Sequence, residues 1–324
     1  MLREGLIYLS HSNAAKAVVT KTPLRGMAHR FVPGETVDDL LRAIREANAL
    51  GLTATGNFLG ESVHDEANAR LFADVYLDIL DRVAAEKLDA NISLKFTALG
   101  QDVSESFLAE NLGRILEKAR QVGSFVRFDM ESSEYTQRTL DAFEKIWHEG
   151  WRDIGVVLQS YLKRSAGDVA RMNELGARVR LCKGAYDEPA TVAFRDRAEV
   201  DRSFVELMQM LLADGNYPAI ATHDERMVDA TVAFHQKEGI GKERFEFQML
   251  HGVRRDLQQR LVKDGFRVRV YVPFGTHWYP YLMRRLAERP ANVLFMAGSV
   301  VKESPLGFLW PHGRDGHEEA DKAR

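Results

Sequence analysis

One stretch near the C-terminal end, residues 271–292 (YVPFGTHWYPYLMRRLAERPAN), collects residue types that bind small anions. The alternation of Val268, Val270 and Val272 predicts a strand over residues 267–274, ended by Pro273 and Gly275. A helix is expected from about Trp278 to Ala287. On it Tyr281, Arg284, Arg285 and Glu288 follow i, i+3, i+4, i+7 spacing and share one face. Two adjacent guanidiniums offer a fork for a carboxylate or a phosphate. Glu288, one turn beyond Arg284, can hold that rotamer. Tyr271 and Tyr281 flank the arginines. The competing reading is a surface Arg–Glu pair on an amphipathic helix.

The same mixture of charge and strand recurs upstream. Eight short apolar or alternating runs lie at 52–60, 91–96, 124–130, 154–161, 178–186, 218–224, 245–250 and 267–274. Helical patterns separate them, for example over 66–88, 105–123, 136–150 and 201–215. Strand–helix alternation argues for a parallel sheet, and eight evenly spaced units argue for closure into a (βα)8 barrel. A doubly wound open sheet is the alternative. In a barrel the chemistry sits at the C-terminal strand ends, and here those ends are polar. Lys95 ends the second, Asp129 the third and Gln159 the fourth. Arg180 and Lys183 lie on and after the fifth, leading into Gly184, Ala185 and Tyr186. Thr222 and His223 end the sixth, Gln248 and Leu250 the seventh, and Tyr271 the eighth. Any one of these serves as readily as a satisfied strand-end group. A whole ring of them requires partners or ligands, because buried charges do.

The expected organisation is an N-terminal helical segment (1–45), a barrel domain (46–301) and a polar tail (302–324). A helix with apolar spacing at Leu40, Leu41, Ile44 and Ala47 is expected before Gly51. Residues 314–324 lack periodicity and are expected to be frayed or disordered.

Several function classes are disfavoured. A net charge of −3 gives no basis for binding nucleic acid. The lone Cys182 excludes an intramolecular disulfide and a cysteine-based zinc site, and fits a cytoplasmic protein. No apolar run is long enough to cross a bilayer and no signal-peptide pattern opens the sequence, which leaves peripheral membrane contact open. No G-x-G-x-x-G or Walker A loop is present; residues 239–243 (GIGKE) are neither. His223, His251 and His277 fall near strand ends, but no carboxylate spacing accompanies them, so no metal is expected. Lys95 or Lys183 could serve as the Schiff-base lysine of an aldolase-like barrel. A non-catalytic amino-acid-binding barrel would need the arginine clamp alone. Nothing in the sequence reports an oligomeric state.

From about residue 52 to 295 the chain resembles the flavin-dependent proline dehydrogenases. The likeness is carried, in order, by SLK (93–95), FDMES (128–132), VLQSY (157–161), RLCKGAYDE (180–188), ATHD (221–224), FQML (247–250) and YLMRRLAE (281–288). It implies a distorted (βα)8 TIM-type barrel with N-terminal helices. It also implies bound FAD, oxidation of L-proline to 1-pyrroline-5-carboxylate, and a membrane quinone as electron acceptor, met by peripheral contact at the inner face of the cell membrane. By this likeness Lys95, Arg284 and Arg285 hold the substrate carboxylate, Leu250, Tyr271 and Tyr281 wall the pyrrolidine ring, and Glu288 orients an arginine. Asp129, Met130, Gln159, Arg180, Lys183, Gly184, Ala185, Tyr186, Thr222, His223 and Gln248 line the flavin, with Asp129 and Arg180 nearest the redox centre. Gly184 has a separate rationale, since a residue without Cβ lets a cofactor approach the backbone.

Overall fold

Val268, Val270 and Val272 are buried in the apolar core, while the residues between them on the same strand are Arg269 and Tyr271. That parity holds around the sheet. Phe247 and Met249 alternate with Glu246, Gln248 and Leu250, and Ile92 and Leu94 alternate with Asn91 and Ser93. Because successive side chains point to opposite faces, each strand sends an apolar row outward to the helices and a largely polar row inward.

The computed structural model describes residues 30–288, with side chains as far as Met283. Eight strands close a parallel barrel in chain order: β1 (Thr53–Phe58), β2 (Ala90–Leu94), β3 (Val126–Phe128), β4 (Ile154–Gln159), β5 (Arg178–Cys182), β6 (Ala219–Ala221), β7 (Glu246–Leu250) and β8 (Val268–Phe274). Closure comes from β1 pairing with β8, with Thr55 opposite Tyr271. The expected (βα)8 topology is therefore present, and the doubly wound alternative is excluded.

The described helices are α1 (Val37–Ala49), α2 (Glu66–Ala85), α3 (Glu105–Val122), α4 (Ser133–His148), α5 (Ser165–Leu175), α6 (Arg197–Asp214), α7 (Glu225–Lys237), α8 (Arg255–Lys263) and α9 (Trp278–Glu288). Their starts follow local chemistry. Thr36 and Asp39 form a reciprocal capping box on α1, and the side chains of Asp65, Ser104 and Asp224 cap α2, α3 and α7. Helix α1 lies against β1 and β8 and buries Leu40, Leu41 and Ile44 completely. Each such side chain contributes about 1.5–3 kcal/mol. Gly56 of β1 admits this contact: a Cβ there would stand 3.0 Å from Leu40 Cδ2.

Paired strands end sooner than the apolar runs predict. The third run, expected over 124–130, pairs only over Val126–Phe128, and the fifth stops at Cys182. Gly184, at φ +111°, turns the chain away just beyond. Asp129, Lys183 and His223 thus sit immediately past their strands, on the rim.

The chain divides into two compact units. One comprises residues 29–278 and contains the barrel. The other combines residues 1–28 with 279–324, and its described part is the body of α9. The expected tail, 302–324, and most of the expected N-terminal segment lie outside the described residues.

Candidate active site

Ser93 of β2, Asp129 after β3, Arg180 of β5, Gln248 of β7 and Tyr271 of β8 bond to one another although most of their strands are not neighbours. Only the barrel interior permits that. The Asp129 carboxylate is the hub. Its Oδ1 accepts from Ser93 Oγ (2.6 Å) and Arg180 Nη1 (2.7 Å), and its Oδ2 accepts from the Tyr271 hydroxyl (2.8 Å). Arg180 also donates from Nε to Gln248 Oε1 (2.5 Å) and from Nη1 to Ser93 Oγ (3.2 Å). Its guanidinium carbon lies 5.3 Å from the centre of the Tyr271 ring, a cation–π arrangement that keeps the charge over an aromatic face. Asp129 and Arg180 are both under a tenth exposed. A buried carboxylate with three donors and a buried guanidinium with side-chain acceptors form a compact, nearly neutral knot at the C-terminal end of the barrel.

Two lysines stand on the rim, each already paired. Lys95 bonds to Glu61, and Tyr186 donates its hydroxyl to the same Glu61 oxygen (3.4 Å). Burial works against the Lys95 charge, but Tyr186, Glu61 and Glu131 together outweigh it and hold the ammonium above the ordinary lysine range. Glu131 is itself raised above the usual carboxylate range by burial, which Lys95 offsets in part. Lys183 bridges Asp201 (2.5 Å) and Asp224 (2.9 Å), and Arg226 joins the same two carboxylates. Arg226 first, and then Lys183, hold Asp224 well below the usual carboxylate range. A Schiff-base lysine needs a depressed pKa to be nucleophilic. Lys95 is held the opposite way.

The remaining expected residues are distributed around this knot. Gln159 closes β4, fully buried, and donates to the Glu131 carbonyl (3.3 Å), while its Oε1 has no hydrogen-bond partner among the described residues. His223 Nε2 accepts from the Leu250 backbone N–H (2.8 Å), which ties the ends of β6 and β7 together. Thr222 Oγ1 accepts from the Asp224 N–H (3.1 Å), and Met130 is buried beside Asp129. Ala185 and Tyr186 follow Gly184 into the loop after β5. Gly184 has a reason for being glycine beyond the one expected: besides its positive φ, a Cβ would fall 2.3 Å from Tyr161 Cδ1. Packing on that ring suffices to demand glycine. Tyr281 lies in the first turn of α9, in the other unit. The side chains of Arg284, Arg285 and Glu288 lie outside the described residues.

A family model of proline dehydrogenase matches residues 40–298. Proline dehydrogenase 1 of Bacillus subtilis subsp. natto is 38% identical over 94% of this chain and 100% of its own length. The proline dehydrogenase of Deinococcus radiodurans is 41% identical over 85% of this chain and 90% of its own. The chain belongs to the proline dehydrogenase family. Among solved structures, proline utilization A (PutA) from Bdellovibrio bacteriovorus, inactivated by N-propargylglycine, superposes with a TM-score of 0.79 at 28% identity over 91% of this chain. This chain spans 36% of that longer one.

Sequence reasoning about this proline dehydrogenase family member missed the layer beneath the rim. Glu246 and Arg269 form a buried pair (2.8 Å), and Arg127 donates from Nη1 to the carbonyls of Arg178 (2.7 Å) and Val156 (3.2 Å). Glu61, Ser93, Glu131, Asp201 and Asp224 were also passed over as partners. A signal for several of them was available. Ser93, Arg127, Glu246 and Arg269 each stand two residues before a rim residue on the same strand, so the period of two places them on the same inward face.

Proposed function

We propose that this proline dehydrogenase family member oxidises L-proline to 1-pyrroline-5-carboxylate with bound FAD, and that its electrons then pass to a membrane quinone. The observation that carries the reading is the Asp129–Arg180–Tyr271–Ser93 knot at the C-terminal end of the barrel. It is a buried, preorganised charge pair where barrel enzymes do their chemistry. When bound, the flavin would supply a two-electron acceptor for the hydride of the ring carbon beside nitrogen, the nitrogen's proton leaving as the C=N bond forms.

The chain's residues fit that cofactor. Gln159 Oε1, buried and unsatisfied among the described residues, suits a donor such as an imide N–H. Gln248, Thr222 and His223 offer polar edges, and Lys183 and Arg180 offer cations for anionic parts of the cofactor. Arg180 would stabilise negative charge on the reduced ring. Lys95, Arg284 and Arg285 would hold the substrate carboxylate and fix the pyrrolidine. Leu250, Tyr271 and Tyr281 would wall it, and Glu288 would orient an arginine. In this reading Lys95 exchanges its Glu61 partner for the substrate carboxylate when proline enters. Quinone reduction by peripheral contact with the inner face of the cell membrane rests on family likeness. Among the described residues no helix is long and apolar enough to cross a membrane.

The test is direct. Purified protein is expected to be yellow, to bleach anaerobically on adding L-proline, and to yield a cyclic imine that o-aminobenzaldehyde traps. Colourless protein that releases no flavin on denaturation, yet binds proline, would favour a non-catalytic binding barrel instead.

A further inference from the structure

We infer that Glu246 is a positioning residue for Arg180, acting through the amide of Gln248. The inference rests on the proposed placement of Arg180 at the redox centre.

A glutamine side chain carries an ambiguity. Its amide is nearly symmetric in shape, so packing alone does not decide which end is oxygen. Its neighbours decide it electrostatically. Gln248 lies between a cation and an anion. On one side Arg180 Nε donates to Gln248 Oε1 (2.5 Å), and on the other Gln248 Nε2 donates to Glu246 Oε1 (2.5 Å). A missing side chain at 246 removes the acceptor that holds Nε2 away from Arg180, and a neutral amide there leaves one uncharged oxygen for which Arg269 also competes. The amide is then free to turn, and a turned amide sets N–H groups against a guanidinium that has no acceptor atom. Arg180 loses one of the contacts fixing the plane in which its Nη1 meets Asp129.

Glu246 is built to stay charged. It is 2% exposed, and Arg269 donates to both its oxygens, from Nε at 2.8 Å and Nη2 at 3.3 Å. Arg269 is in turn pinned by the Ala54 carbonyl (2.7 Å). Tyr217 adds a hydroxyl to Glu246 Oε2 (3.3 Å). Burial pushes the carboxyl up, but Arg269, Gln248 and Arg127 outweigh that and hold it below the usual range. The result is an alternation along the barrel interior, Arg269, Glu246, Gln248, Arg180, Asp129, in which each group sets the orientation of the next. Glu246 lies two residues before Gln248 on β7 and one layer below the knot, so its effect on the chemistry is indirect.

The experiment is a polarity swap. Glu246→Gln removes the charge at constant shape. Adding Gln248→Glu restores a carboxylate that accepts from Arg180 on one oxygen and from the new amide at 246 on the other; that amide's oxygen then takes the Oε2 place, keeping the Arg269 Nη2 and Tyr217 contacts and giving up the shorter one from Arg269 Nε. We expect Glu246→Gln to lose at least roughly tenfold in kcat, with a smaller change in KM for proline, and to bind flavin at least roughly tenfold more weakly in titrations of the flavin-stripped protein. A lost hydrogen bond to a charged group is of that size. The double variant should recover most of both losses. A Glu246→Gln protein that matches wild type, or a double variant no better than the single one, would overturn the inference. If Glu246→Gln does not fold, the double variant decides alone: folded and active supports the inference, unfolded or inactive overturns it. Wild-type protein without flavin would instead overturn the functional reading beneath it.

Discussion

Two charged layers lie one above the other inside this barrel, and they differ in what caps them. In the lower layer Arg127 donates to the carbonyls of Val156 and Arg178, and Arg269 donates to the carbonyl of Ala54 as well as to Glu246. The three carbonyls are backbone atoms of strands and cannot be re-aimed. At the rim, the side chains of Arg180 and Asp129 bond only other side chains in the contacts described: Ser93, Gln248, Tyr271 and each other. Side-chain partners can change rotamer and admit a ligand between them. Buried charge alone therefore does not mark a site; the nature of its partners does. The lower layer is tied to the backbone of the strands, and the rim pair is not.

The largest expected effects test that division directly. Arg269→Leu leaves Glu246 buried without its cation, a loss of about 3–5 kcal/mol, which urea denaturation would show as a lower midpoint. Arg269→Leu also takes a donor from the Ala54 carbonyl, whereas Arg180→Met takes none from the backbone, so the Arg180→Met midpoint should move less, while its kcat falls roughly 10²–10³-fold. Equal stability losses with similar turnover would erase the distinction between the layers.

Next in size is a pH effect at the rim. His251, just beyond β7, is held by burial first and by nearby Arg255 second at a pKa of about 4, below the ordinary 6.5. Between those values the unfolded chain binds a proton that the folded chain refuses. Stability from this group is complete above about pH 6.5 and is lost as pH falls to about 4, by about 3 kcal/mol over the whole window. Below that both states are protonated and the slope vanishes. Denaturation midpoints measured from pH 7 to pH 4 should fall more steeply for wild type than for His251→Gln. Parallel curves would mean that another group sets the acid limb.

A smaller effect extends the comparison to the helix after β8. Arg285→Met should raise KM for proline more than tenfold, since a charged hydrogen bond is worth about 1.5–3 kcal/mol, with flavin content near wild type. An unchanged KM in both Arg284→Met and Arg285→Met would take the arginines out of substrate binding.

The two layers were unequally legible in the sequence. The barrel was readable because the outward rows are apolar at period two and the helices repeat between them. Rim residues were readable because Asp129 falls near the end of a run, and Arg180 and Tyr271 are polar residues on the inward face of theirs, in stretches with family likeness. Their partners were not. That Asp129 gathers Ser93, Arg180 and Tyr271 depends on stagger around a closed sheet, which joins positions 93, 129, 180 and 271 without any local spacing. Glu246 and Arg269 sit inside strands whose apolar alternation draws attention to the opposite face. Gly184 shows a reason the sequence does not display: besides leaving room for a ligand, it has a positive φ and a Tyr161 ring that excludes a Cβ.

The smallest predicted effect probes how tightly the rim network is coupled. Tyr271 does two things for it: its hydroxyl donates to Asp129 Oδ2 at 2.8 Å, and its ring lies under the Arg180 guanidinium at 5.3 Å. Tyr271→Phe removes the first and keeps the second. Asp129 retains two donors, so the carboxylate is not stranded, and the cost should be that of one hydrogen bond, about 1 kcal/mol or roughly fivefold in kcat/KM. Stability should hardly change, because no backbone group is left unpaired. A loss beyond a hundredfold would mean that the phenol touches the reacting atoms itself. No loss at all would mean that Ser93 and Arg180 suffice to fix Asp129, and that Tyr271 belongs to the substrate wall by its ring alone.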